Sequence, residues 1–309
     1  MTDAGKLARG ITRAASLQTF YTISRFVDRG RQEDAFRAYA YFRWLDDRLD
    51  TEACDQAERQ ALVARQNALI DRCYRGDQPA GLDGPEAILV GLIENNPDPS
   101  GPLAVYVRNL MTVMSFDAER RGRLITQVEL NAYQHSLAVA VTEAMHFFIG
   151  GHRPAPQTAG RYLAVTAAHI THMLRDTRED LQAGYFNIPS EYLRAHGISP
   201  LDVDTPPYRE WVRLRVEQAR ASFQAGRHYL QNVESLRCRL AAHAYSARFE
   251  VVLDLIQRDG FVLRADYGAS KTLGAGLRMA GSILASSLGL SARVRAYGAS
   301  APDGFDGGS

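Results

Sequence analysis

Two acidic clusters constrain this chain more than any other feature: Asp46-Asp47-Arg48-Leu49-Asp50 and Asp176-Thr177-Arg178-Glu179-Asp180. Each places carboxylates four residues apart within a stretch of helical periodicity, which sets them on one helix face about one turn apart. Two such faces turned toward each other would gather Asp46, Asp47, Asp50, Asp176, Glu179 and Asp180 around one cavity. Buried charge at that density cannot stand alone, because an unpaired buried ion costs several kcal/mol. Hard divalent cations resolve the problem. Mg²⁺, or Mn²⁺ by the same chemistry, takes oxygen ligands and brings phosphate oxygens with it.

The surrounding pattern is that of an all-α protein. Helical periodicity dominates, and strand-like alternation is nearly absent. Helices are expected over 33–50, 53–75, 85–95, 102–117, 126–149, 155–183, 207–231, 234–259 and 270–288, punctuated by Gly76, Pro97, the Gly150-Gly151 pair and Gly184. No repeat and no long linker divides them, so one helical bundle around a central cavity is expected over 1–297. The Gly/Asp/Ser-rich segment 298–309 reads as a disordered tail.

Composition closes off several function classes. Lys and Arg number 36 against 35 Asp and Glu, so no nucleic-acid or other polyanion partner is implied. Cys54, Cys73 and Cys238 lack the paired spacing of a disulfide framework or zinc site, which fits a reducing cytoplasm. Residues 1–18 do not resemble a secretion signal. The most apolar window, 273–290, is interrupted by glycines, serines and Arg278; it reads as a soluble terminal helix, with peripheral membrane contact the alternative.

The two stripes carry the chemistry. Tyr39, Arg43, Asp46 and Asp50 share one helix face, while Tyr41, Phe42, Trp44, Leu45 and Leu49 between them are bulky and apolar. That mixture predicts a helix buried nearly all round, with acids that need partners. His169, His172, Asp176 and Glu179 or Asp180 form the second stripe, with Arg175 and Arg178 among them. Intrahelical ion pairing would account for one such cluster; two with the same spacing favour a metal-bridged diphosphate site. His169-x-x-His172-x-x-x-Asp176 also has ligand-like spacing for zinc or iron, but no complementary Glu-x-x-His pair accompanies it. No nucleophile elbow, P-loop or dinucleotide fingerprint is present.

At these residues the chain resembles the squalene/phytoene synthase family of head-to-head prenyl transferases. Ala38-Tyr39-Ala40-Tyr41-Phe42-Arg43 followed by Asp46-Asp47-x-x-Asp50 is similar to the family's first aspartate motif, and Leu174-Arg175-Asp176-x-x-Glu179-Asp180 to its second. Thr19-Phe20-Tyr21, Glu129-Leu130-x-x-Tyr133, Leu137-Ala138, and Arg264 with Lys271 match other segments. The resemblance implies that Asp46, Asp50, Asp176 and Asp180 hold Mg²⁺ bridging to farnesyl or geranylgeranyl diphosphate. It puts Arg43, Arg175 and Tyr39 on phosphate oxygens and adds Thr19, His169 and Arg264 to the substrate side. Tyr133 would line the pocket, with Tyr133 and His172 among the catalytic candidates. The helix holding Phe147 and Phe148 would line a chain tunnel, those rings otherwise being plain core.

The implied reaction joins two prenyl diphosphates through a cyclopropyl intermediate; squalene formation needs NADPH, phytoene formation does not, and neither has a readable signature here. A class I terpene synthase and a non-catalytic assembly factor are the alternatives. The chain departs from the family at His169 and His172, where Gln and Asn are usual, and at Phe249 and Thr142. It also departs in Gly184-Tyr185-Phe186-Asn187-Ile188-Pro189, where Gly-Arg-x-Tyr-Leu-Pro is usual. Either histidine could act as a base toward a cation.

Overall fold

Capping chemistry sets most of the helix boundaries. The computed structural model describes residues 3–51, 55–151 and 153–267. Within them run α1 (Asp3–Ala15), α2 (Leu17–Phe26), α3 (Gln32–Asp50), α4 (Gln56–Tyr74), α5 (Gly84–Glu94) and α6 (Pro102–Arg120). α7 (Gln127–Ile149), α8 (Leu163–Gln182), α9 (Ser190–His196), α10 (Pro206–Gln231) and α11 (Leu236–Arg258) follow, and no strand occurs among the described residues. The all-α class expected from the periodicity is the class observed. Asp55 with Glu58, Asp83 with Glu86, and Thr126 with Glu129 form capping boxes that start α4, α5 and α7. In each, side chain and backbone satisfy one another's free groups at the helix N-terminus. Proline occupies the first turn of α5, α6 and α10, where its missing N–H costs nothing.

Two helix starts differ clearly from the periodicity. α4 begins at Gln56 because Asp55 is its cap. α8 begins at Leu163 rather than at 155, because Pro154 and Pro156 precede it and Arg161 is drawn aside to Glu143. α1, α2 and the seven-residue α9 were not expected; α9 is too short to establish a period. Cys54, His152, Lys271, the helix expected over 270–288 and the tail 298–309 lie outside the described residues.

Two cores form. The first gathers Phe36, Tyr41, Leu45, Ile88, Leu92 and Met111 from α3, α5 and α6. The second gathers Ile170, Val212, Phe223, Leu253 and Ile256 from α8, α10 and α11. α7 runs between them, packed on α6 to one side and on α8 to the other. Phe147 and Phe148 at its far end are buried in the first core, Phe148 edge-on to Tyr106. Tyr133 borders both cores, so the seam between the halves passes through it.

One contact limits how the second half can repack. A Cβ added at Gly226 on α10 would lie 2.7 Å from both the Cβ and the backbone nitrogen of Ala164 on α8. Replacing glycine in a helix should gain about 1 kcal/mol. Forcing apart two packed backbones costs about 1–3 kcal/mol. Gly226→Ala is therefore expected to lower the urea midpoint at unchanged m-value, and a raised midpoint would refute this account of the contact.

Candidate active site

Helix α3 ends in its acidic stripe at the edge of the first core, and α8 carries the second stripe beside the seam. The expectation that α3 is buried nearly all round is corrected here. Tyr41, Phe42, Leu45 and Leu49 are buried, but Arg43, Asp47, Arg48 and Asp50 are exposed, because among the described residues no helix covers that side. Arg43 bonds Asp47 and lies 3.4 Å from Asp46, spanning its own stripe. Burial at the helix base and then the neighbouring Asp50 push Asp46 up to about 6, with Arg43 opposing. Partial covering of its carboxyl also raises Asp50, against Arg121 and Arg43.

On α8, Arg175 grips Asp176 through two bonds of 2.6 and 2.7 Å, and His172 Nε2 lies 2.8 Å from the same carboxylate. Burial works to raise Asp176, but the bonds from Arg175 and His172 outweigh it and hold the group well below the usual carboxylate range. One turn on, Asp180 has no such grip. Burial and then the charge of Asp176 push it up to about 7 against Arg120 and His172. The two aspartates of one motif are thus driven apart by their surroundings.

Between the stripes stand residues that the sequence reading did not single out. Asp117 and Arg120 close α6, and Arg120 Nε donates to Asp117 at 2.6 Å. Tyr133 donates its hydroxyl to the other oxygen of Asp117 at 3.1 Å, and burial, then Asp117, holds that phenol neutral. Arg120 also donates to Asn187 at 2.8 Å, and Asn187 donates to Asp180 at 2.7 Å. Asp117 feels the charge of Asp50, and Arg120 feels that of Asp180, so the α6 terminus couples the two motifs. A sequence signal existed: Asp117-x-x-Arg120 repeats the three-residue acid–arginine spacing of Arg43-x-x-Asp46.

An open cavity lies here, lined by Arg120, Tyr133, His169, His172, Met173, Asp176, Asp180 and Asn187. His169 is buried, and burial followed by His172 keeps it far below its ordinary range, hence neutral. The remaining candidates sit elsewhere. Thr19 bonds Ser16 at the cap of α2, Tyr39 packs on the first core, Glu179 is exposed, and Arg264 pairs with Asp259 beyond α11.

Among the described residues no three His, Cys, Asp or Glu side chains converge tightly enough to hold an ion alone. Carboxylate pairs fit Mg²⁺ nonetheless, because that ion needs only one or two carboxylates beside phosphate and water oxygens. Burial, and then the neighbouring carboxylates, press Asp46 and Asp180 upward, and a bound cation would favour their charged forms. Asp46 and Asp50 would form one holding pair, Asp176 and Asp180 the other.

Known proteins share the fold and part of the sequence. The squalene/phytoene synthase family model matches residues 14–272. The chain is similar to phytoene synthase of Thermus thermophilus, 27% identical over 248 residues that cover 79% of this chain and 80% of that one. It is also similar to presqualene diphosphate synthase of Rhodopseudomonas palustris, 26% identical over 189 residues, 60% of this chain and 62% of the relative. In fold it resembles squalene synthase HpnC from Alicyclobacillus acidocaldarius, with a TM-score of 0.67 at 22% identity over 84% of this chain and 95% of that one. A dehydrosqualene synthase solved with ligand superposes with a TM-score of 0.68 at 15% identity, over 94% of this chain and 97% of the other. No helix among the described residues is long and apolar enough to cross a membrane. With the motifs, the seam cavity and a family match over most of its length, this chain belongs to the squalene/phytoene synthase family of prenyl transferases.

Proposed function

We propose that this chain joins two prenyl diphosphates of C15 or C20 length head to head, through a cyclopropyl diphosphate intermediate, with release of diphosphate and dependence on Mg²⁺. The observation that carries this reading is the single cavity where Asp176, Asp180, Arg120, Tyr133 and two histidines meet, coupled through Asp117 to the Asp46 and Asp50 stripe. Mg²⁺, when bound, supplies charge that stabilises the departing diphosphate.

The side chains divide the remaining work. Asp46, Asp50, Asp176 and Asp180 would hold the cation, whose charge would favour the ionised forms of Asp46 and Asp180. Arg43 and Arg175 are partly exposed and pair with carboxylates that the cation also wants. Both guanidinium groups stand beside the carboxylates that would hold a cation, where their forked donors would also meet phosphate oxygens. Tyr133 keeps its proton and presents its ring rather than a base. Phe116, Met173 and Phe249 supply apolar walls near the same seam, and such walls withhold water from an allylic cation. His169 and His172, on the cavity wall, are the groups placed to take a proton from that cation.

The names of the relatives support condensation of prenyl diphosphates and leave the product open between a squalene type and a phytoene type. Farnesyl and geranylgeranyl diphosphate, each with and without Mg²⁺ and with and without NADPH, followed by mass spectrometry of the hydrocarbon products, test the reading. Products of doubled carbon number that appear only with Mg²⁺ are expected. Cyclised or hydrolysed single chains would point instead to a terpene synthase, and condensation without divalent cation would remove the proposed role of the aspartates.

A further inference from the structure

Building on the function just proposed, we infer that Arg120 and Asn187 form a positioning relay that fixes the orientation of Asp180 and ties it to Asp117 on α6. Arginine has donors and no acceptor. Arg120 gives Nε to Asp117 and Nη1 to the side-chain oxygen of Asn187, at 2.6 and 2.8 Å. The amide of Asn187 therefore has its oxygen toward the guanidinium and its nitrogen toward Asp180, 2.7 Å away. A flipped amide would set donor against donor at one end and acceptor against acceptor at the other. One oxygen of Asp180 is engaged in this way, and the other is left for a ligand.

The relay is held on every side. Arg120 is 5% exposed and lies between the rings of Tyr133 and Tyr185, 4.8 and 4.9 Å from their centroids. Below it the ends of α6 and α8 are stitched by backbone and side chain. Gly122 N–H donates to the Gly184 carbonyl at 2.8 Å, and Arg121 donates to the Ala183 carbonyl at 3.0 Å. Gly184 makes this possible with φ +84, a conformation that a side chain resists. Arg43 and Arg175 are paired but partly exposed, whereas Arg120 is buried and caged. It is a positioning residue and not a mobile phosphate ligand. Asn187 falls where the family's tyrosine is usual, and the bonds drawn here give this chain's own residue a definite task.

The test compares Asn187→Leu, Arg120→Gln and the double variant. Calorimetry with Mg²⁺ and inorganic diphosphate as the probe reads binding, and steady-state assays with the prenyl diphosphates read turnover. Each single change should weaken Mg²⁺-dependent diphosphate binding by about 10-fold and lower kcat by about 10–100-fold, while KM for the prenyl diphosphate moves far less. The double variant should be no worse than Arg120→Gln alone, because both changes cut one chain of bonds. Independent, additive losses in the double variant, or wild-type probe binding in Asn187→Leu, overturn the relay. Should Arg120→Gln misfold, Asn187→Leu decides the matter, since that residue sits in a loop between helices. A wild-type protein that binds Mg²⁺-diphosphate but joins no prenyl chains would defeat the proposed reaction while the calorimetry still judges the relay.

Discussion

Asp176→Asn is expected to lower kcat by about 10²–10³-fold at unchanged helical content, the loss typical when one preorganised electrostatic group is removed from a reacting charge. Asp176 is the most strongly ionised group on the cavity wall, gripped by Arg175 and touched by His172. Asparagine keeps the shape and can still accept a bond from Arg175, so the fold has little reason to respond. It loses the negative charge that a divalent cation requires. Circular dichroism and a thermal melt, run beside the turnover assay, separate the two effects. A melting temperature that falls in step with activity would show that the carboxylate is a structural partner of Arg175 and not a ligand.

Arg161→Met should cost about 3–5 kcal/mol of stability, the usual penalty for stranding one member of a buried ion pair. Arg161 is 5% exposed and holds both oxygens of Glu143 on α7 at 2.9 Å. Tyr162 adds a third bond to that carboxylate at 3.0 Å. Tyr229 on α10 touches Arg161 and, through its hydroxyl, His146, whose pKa falls to about 4 through burial and then the charge of Arg161. The network joins α7, the start of α8 and α10, so its loss is felt by both cores. Methionine fills the space but leaves Glu143 charged, buried and without its guanidinium. Adding Glu143→Gln to Arg161→Met should restore a large part of the loss, because replacing both partners removes the uncompensated charge. Urea unfolding of the three variants checks this, and a single-variant loss below about 1 kcal/mol, the range of an exposed pair, would refute it.

Much of the fold was legible because its signals are local. Apolar spacing, capping residues such as Asp83 and Thr126, and helix-ending glycines act within a few residues and appear in the text of the chain. Where they failed, the competing force was also nameable. The stretch before Leu163 has a helical pattern, but prolines and the pull of Glu143 on Arg161 prevail. The spacing identified the acidic pairs, and the structure places Asp176 and Asp180 with His169, His172 and Tyr133 on one wall. The same reasoning missed Asp117, Arg120 and Arg121, because a helix terminus with mixed charge looks like any solvated end. It also read Asn187 only as a departure, since a hydrogen bond to a residue 67 positions earlier leaves no local trace.

The sequence by itself determined an all-helical chain and two helices with carboxylates one turn apart. Spacing on a helix is enough for that, because the backbone period dictates which side chains share a face. Only the tertiary structure decided which acids stand in a common hollow and what sets their charge. Those properties depend on burial and on neighbours brought by α6 and by the turn after α8. Asp176 and Asp180 have the same chemistry and the same helix, yet one is held strongly ionised and the other is pushed toward neutrality. Their difference is made entirely by what packs against them.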